Sequence, residues 1–472
     1  MHRPIPLRPL AAARTVLLLC LAVASAPASA APSRAFVFGT DFTTGSLTGY
    51  DLPARTAHCD AASPNSDASL RFFANRLYVV NRFGGDNIQV VNPATYATVL
   101  QFSVGNGANP HDIALVSPTK AYVTRYESAD LWIVNPQTGA HTGTVSLAAF
   151  ADADGLPEMD RLALVGDLLF VAIERIDRPG GYVPAGPGLV AVIDTRTDAL
   201  VDCDPATPGT QAIALQLANP VTTFQFDAAT RRLLVGCAGT YGVLDGGLEW
   251  IDTNTLRSAG VAIGEATLGG DVSDVVWVGP AKSYAIVADL AANTSLVKWS
   301  AAGALLGTLW APGGYSLSDA EANDAGELWV CRNSFVGSAL RVYTIATDAP
   351  SGADLHCTLP PVAVAFDAAG TTDVAPAAGT FAFVPAWPNP ARAAVRLAAT
   401  LPAVADVRLE VFDAAGRRVR TLAAGAFGAG AHAWSWDLRD DAGARVAPGV
   451  YAARLAVAGG EPLVRRVVVT GR

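Results

Sequence analysis

Five aspartates are spaced as though they share one task. Asp112, Asp160, Asp274 and Asp319 each stand ten residues before an aromatic residue that heads an apolar run, and Asp67 stands eleven before Tyr78. Each opens a short strand. If those strands line a common axis, the carboxylates ring one mouth of a channel and form a set able to hold a divalent cation or a sugar. Antiparallel pairing of neighbouring strands offers a plainer reading, because the start of one strand then lies opposite the end of the next. It sets Asp112 against Arg125 and Asp319 against Arg332, thirteen residues apart in both cases, with Arg82 in similar reach of Asp67. Such Asp–Arg pairs would neutralise one another and lock each unit. Asp160 and Asp274 have no arginine at that spacing, so the cation or sugar reading stays open for them. His111 beside Asp112 is either a hydrogen-bonded strand-entry residue or a base.

Other candidates are weaker. Asp152, Asp154 and Glu158 place oxygens at alternating positions around Gly155, in the manner of a calcium loop, but without an EF-hand's length or its bidentate glutamate. A turn with a capping role is the competing reading. Five cysteines follow residue 30. Cys203 with Cys237 and Cys59 with Cys357 are the candidate disulfides, and the odd count leaves at least one thiol unpaired. His58 and His356 next to the latter pair leave a zinc site as an alternative. There is no Gly-x-Ser-x-Gly elbow, no HExxH and no phosphate-cradling glycine loop.

The elements that must position these residues recur. The stretch 110–139 reads as strand, strand, strand and an Asn-Pro turn. Similar units place a Leu, Ile or Val four residues before a turn-opening polar residue at Asp51, Asn92, Asn135, Asp194, Asp252, Ser300 and Thr344. The spacing of 41 to 59 residues is that of a β-propeller blade. The first unit begins on its second strand, at 35–39. The apolar run 361–366 has no hairpin partner. Placing that run at the hub of the first blade closes the ring and removes both open edges. A small-residue linker (369–380) and six further strand-like runs follow, as in a β-sandwich. The expected architecture is therefore all-β: a seven-bladed β-propeller over 31–368 and an immunoglobulin-like β-sandwich over 381–472.

The segments LYVVNR (77–82), AYVTRY (121–126) and NPHDIAL (109–115) resemble the YVTN-type β-propeller repeat of bacterial surface-layer and extracellular proteins. Related rings include sugar-lactone hydrolases. Towards the C-terminus, WPNPAR (387–392), VFDAAGRRVRTL (411–422), HAWSWDLRDDAG (432–443) and PGVYAARL (448–455) are similar to two modules. One is the immunoglobulin-like domain of flagellar-hook capping proteins; the other is the C-terminal sorting domain of type IX secretion substrates. Both resemblances imply secretion or surface attachment for this part of the chain.

Residues 1–30 carry Arg3, Arg8 and Arg14, a ten-residue apolar run and Ala28-Ser29-Ala30, the layout of a cleavable export signal. Its removal leaves 30 basic and 42 acidic side chains, a net of −12. That balance disfavours nucleic acid and anionic lipid as partners, and no later run is long and apolar enough to span a membrane. The connections 150–158, 174–188 and 203–220 are long and fall on one face, where Arg175, Asp177, Arg178, Tyr182 and Tyr241 are the candidate ligand contacts. The expected function is an exported protein- or glycan-binding module without a required cofactor. The alternatives are a lactonase-like hydrolase using a divalent cation such as calcium at Asp160, Asp274 and His111, and a structural surface-layer component.

Overall fold

The computed structural model describes residues 32–367 and, in segments, 382–470. The expected export signal, the linker and the Pro-Asn-Pro entry at 388–390 lie outside the described residues. Among those described, helix is limited to one turn at Glu265–Leu268 and a 3₁₀ turn at Ala148–Phe150.

Between Arg34 and Phe366 the strands form seven successive antiparallel sheets, each essentially four-stranded. Blades two, three, five, six and seven use four strands in chain order from hub to rim. Blade four replaces most of its outer strand with two short pieces, Ala199–Leu200 and Ile213–Ala214, both paired with Leu189–Asp194. A separate two-stranded ribbon, Ile176–Asp177 with Val183–Pro184, rises from its long loop. In blade one, Pro361–Phe366 lies antiparallel to Arg34–Thr40 at the hub, which is the closure expected from the unpaired run. The seam is fastened on both sides: Thr40 N donates to Pro360 O at 2.9 Å, and Asp367 N donates to Arg34 O at 3.1 Å.

Alternation along the second strands explains why the sheets stack. Successive side chains point to opposite faces, and here both faces are buried. Ala35 and Val37 pack on blade seven, whereas Phe36 and Phe38 pack on blade two. Tyr122 faces blade four while Ala121 and Val123 face blade two. Repeating this round the ring makes seven apolar layers, one between each neighbouring pair of blades. The closing layer is built on Trp329, which meets Phe366 and Tyr50 edge-on at 5.6 and 5.8 Å.

The C-terminal stretch forms two further sheets. One contains Ala382–Phe383, Val395–Leu401 and Gly430–Trp436; the other contains Arg418–Phe427, Ala405–Phe412, Gly449–Val457 and Leu463–Val469. They enclose a core around Leu397, Leu409, Trp436 and Leu455, and Trp436 Nε1 donates to Arg439 O at 2.8 Å.

Candidate functional site

Of the ion pairs expected inside the blades, one is present. Arg82 Nε lies 3.5 Å from Asp67 Oδ1. Asp112 does not meet Arg125. Its partner is Arg71 from the hub strand of the preceding blade, which grips both carboxylate oxygens at 2.8 and 2.7 Å. Register explains the miss: Ile113 pairs with Val123, so Arg125 lies past the strand end and stacks 4.4 Å over Trp132. Asp319 likewise sits opposite Cys331, not Arg332. The hub aspartates instead reach forward to the next blade. Asp112 accepts Leu162 N at 2.9 Å, Asp274 accepts Ala320 N at 2.8 Å, and Asp319 accepts Val364 N at 2.8 Å. They are latches between blades.

The remaining two channel-mouth candidates, His111 and Asp160, do meet. His111 Nδ1 lies 2.7 Å from Asp160 Oδ1, and the imidazole stacks on Tyr126 at 4.2 Å. Tyr126 in turn donates to Glu174 Oε2 at 2.7 Å. Burial pushes His111 towards its neutral form against the pull of Asp160. Burial would also raise Asp160, but Arg161 and His111 outweigh it and hold the carboxylate well below the usual range. Glu174 goes the other way: burial, then the charge on Asp160, drives it well above an ordinary carboxyl. The two neighbouring carboxyls are thus pushed in opposite directions, Asp160 towards its ionised form and Glu174 towards its neutral one. Asp274 is not with them; it neighbours Asp319. Among the described residues no three His, Cys, Asp or Glu side chains gather as metal ligands would.

On the long loops the candidates divide. Glu158 is fully buried and accepts both Ile176 N and Arg178 Nε at 3.1 Å. Arg178 also reaches Glu127 at 2.5 Å and lies 5.5 Å over the Tyr126 ring. Asp152 Oδ1 caps Asp154 N at 3.0 Å, and Asp177 Oδ1 caps Gly180 N at 2.8 Å. Arg178, Asp177, Asp152, Asp154 and Glu158 therefore hold the loops in shape. Arg175 sits at φ +59°, and its carbonyl accepts Ala185 N at 2.8 Å. Tyr182 and Tyr241 are exposed. The expected disulfides are absent, for all five cysteines are free thiols. Cys203 and Cys237 are buried in the apolar layer between blades four and five, and Cys357 Sγ lies 3.3 Å from Tyr50 Oη, not bonded to Cys59.

What sequence reasoning passed over is a rim. In six blades the loop joining the second and third strands carries a large, exposed apolar side chain. These are Phe42, Phe83, Tyr182, Tyr241, Leu290 and the pair Phe335–Val336, each 66–80 % exposed. Phe42 and Phe335 lie 6.3 Å apart. Within the rim opens a cavity of about 530 Å³, bordered by Phe42 and Phe83 and walled by Arg71, Arg82, Arg161, Asp274 and Asp319. The two missed arginines had a faint signal, since Arg161 directly follows Asp160 and Arg71 lies on the strand that Asp67 opens.

This architecture is a closed β-propeller with an immunoglobulin-like sandwich following it in the chain. Residues 390–461 match the family model of the FlgD Ig-like domain. No curated protein sequence matches the chain. Among solved structures, it is similar to a putative 6-phosphogluconolactonase from Bacteroides uniformis at 12% identity and TM-score 0.49, covering 71% of this chain and 100% of that one. It is also similar to the dihydro-heme d1 dehydrogenase NirN, at 13% identity and TM-score 0.44, covering 72% and 76%. Kuenenia stuttgartiensis hydrazine synthase aligns at 14% identity and TM-score 0.44, covering 63% and 87%.

Proposed function

We propose that this is an exported YVTN-type propeller that captures a protein or a glycan on its aromatic-rimmed face, while the FlgD-like domain serves secretion or surface attachment. The rim is the observation that carries this reading. Exposed apolar side chains in six loops, five of them bearing rings, surround one polar opening and give apolar surface of the sort that marks interaction sites. The export-signal layout of residues 1–30 supports an extracytoplasmic setting, and the match of residues 390–461 to the FlgD Ig-like domain supports an attachment role for the sandwich.

The hydrolase reading has less support, because the side chains it would recruit are divided: His111 meets Asp160, whereas Asp274 pairs with Asp319. The deciding experiment immobilises the purified protein over cell-surface protein fractions and a glycan array. The triple variant Phe42→Ser, Phe83→Ser, Phe335→Ser is expected to fold normally and lose capture. Retention of every contact by that variant would remove the rim from the function. Cell fractionation with and without residues 380–472 tests the C-terminal role, and an unchanged location rejects it.

A further inference from the structure

The cavity inside the rim has two unlike walls. On blades two and four stand Arg71, Arg82 and Arg161; on blades six and seven stand Asp274 and Asp319, with Glu321 beside them. The walls act on each other across the gap, as Arg161 pulls both aspartates towards their charged form.

Neither wall has its hydrogen-bonding and ion-pairing capacity fully used. On the basic side, Nε of Arg82 and Nε of Arg161 are buried without a hydrogen-bond acceptor. Their carboxylate neighbours stand off at 3.5 and 3.4 Å without hydrogen-bond geometry. On the acidic side, Asp274 and Asp319 each accept a backbone amide but form no ion pair with any described residue. Burial raises both, Asp319 to about 6, and proximity to Asp319 lifts Asp274 further. Burial and mutual repulsion both disfavour full charge on this pair.

A ligand that completes both walls carries an anion at one end and a cation at the other. A carboxylate suits planar guanidinium donors, and an ammonium suits the aspartate pair. The volume of about 530 Å³ is that of a small-molecule site. We infer that the central cavity binds a small zwitterion, a free amino acid or short peptide, with its carboxylate towards Arg82 and Arg161 and its ammonium on Asp274 and Asp319. This goes beyond capture at the rim and stands independently of what the rim captures.

Isothermal titration of the full chain with diglycine, N-acetyl-diglycine and diglycine amide at neutral pH tests it. Diglycine is expected to bind, and each blocked form to bind about tenfold or more weakly, a difference of about 1.4 kcal/mol. Asp319→Asn keeps an acceptor for Val364 N and is expected to erase the preference over the acetylated form. Arg82→Gln, at a more exposed site than Arg161, is expected to erase the preference over the amide; Asp274→Asn serves if Asp319→Asn folds poorly, and Arg161→Gln if Arg82→Gln does. No binding by any of the three probes overturns the inference. So does equal binding by all three, or an amide that binds as well as diglycine. Phe335→Ser, which lies outside the cavity wall, separates the two readings: it should weaken rim capture and leave diglycine binding intact.

Discussion

The ring has two faces built from the same blades, and they differ in what their side chains are doing. On one face, the turns after the third strands turn their polar groups on their own backbone. Asn92, Asn135, Asp194 and Asp252 each accept an amide two residues on, at 2.9 Å in all four cases. Among the described residues no large exposed apolar side chain lies on those turns or on the turns between first and second strands. On the other face the loops are longer and put their rings into solvent. The turn face stabilises the blades; the rim face leaves apolar surface uncovered, at a cost that folding alone does not explain. That division is what makes the rim a functional surface and not merely an untidy one.

The largest expected effect sits at the boundary between the two roles. Asp112 lies at the rim end of its hub strand, yet it is 0 % exposed and holds Arg71 as well as the next blade. Asp112→Ala removes the carboxylate that grips Arg71 through two hydrogen bonds and orphans Leu162 N. It is expected to cost about 3–5 kcal/mol, read by urea unfolding. A loss under about 1 kcal/mol would mean that the latch is not structural. Next comes the triple serine variant at the rim. Its capture should fall at least about tenfold, while its unfolding midpoint stays close to that of the unaltered protein, since the lost rings are exposed. If stability falls along with capture, the two faces are not the separate devices argued above.

How much of this was legible depended on range. Closure by Pro361–Phe366 was readable because an alternating apolar strand without a hairpin partner must find one, and the open edge of blade one was the vacancy. The third strands were readable because Leu47, Ile88 and Leu131 keep a fixed distance to a turn residue. Of the aspartates' partners, Arg82 for Asp67 was readable; that of Asp112 was not, because Arg71 meets it across 41 positions and through the curvature of the ring. Loop length marked 174–188 correctly as unusual, but length says nothing of which side chains turn inward, so Arg178 was read as a ligand contact when it is a clasp. The rim escaped notice for a related reason. One exposed apolar side chain in a loop is ordinary; only the ring brings six such loops together.

A smaller effect concerns that clasp. Glu158 is raised to about 7, chiefly by burial. The folded protein therefore binds this proton more tightly than the unfolded chain, whose glutamate titrates near the ordinary 4.5. From this group, stability is fully present below that value and declines as pH rises to about 7, beyond which the loss is constant. Glu158→Gln should remove that part of the slope, so the variant gains on the unaltered protein between pH 4.5 and 7. Urea midpoints across the interval decide it, and an unchanged difference contradicts the assignment.

The smallest effect probes the turn face directly. Asn135 carries one side-chain hydrogen bond, from Gln137 N, in a turn that touches neither the cavity nor the rim. Asn135→Ala is expected to cost about 0.5–1.5 kcal/mol, the net worth of such a bond, and to leave both capture and diglycine binding untouched. The comparison is sharpest here because the two faces make opposite predictions. An alteration on the turn face should move the unfolding curve and no binding curve, whereas the rim variant should do the reverse. Should Asn135→Ala weaken capture without lowering stability, binding would have to reach the turn face, and the asymmetry between the faces would no longer locate the site.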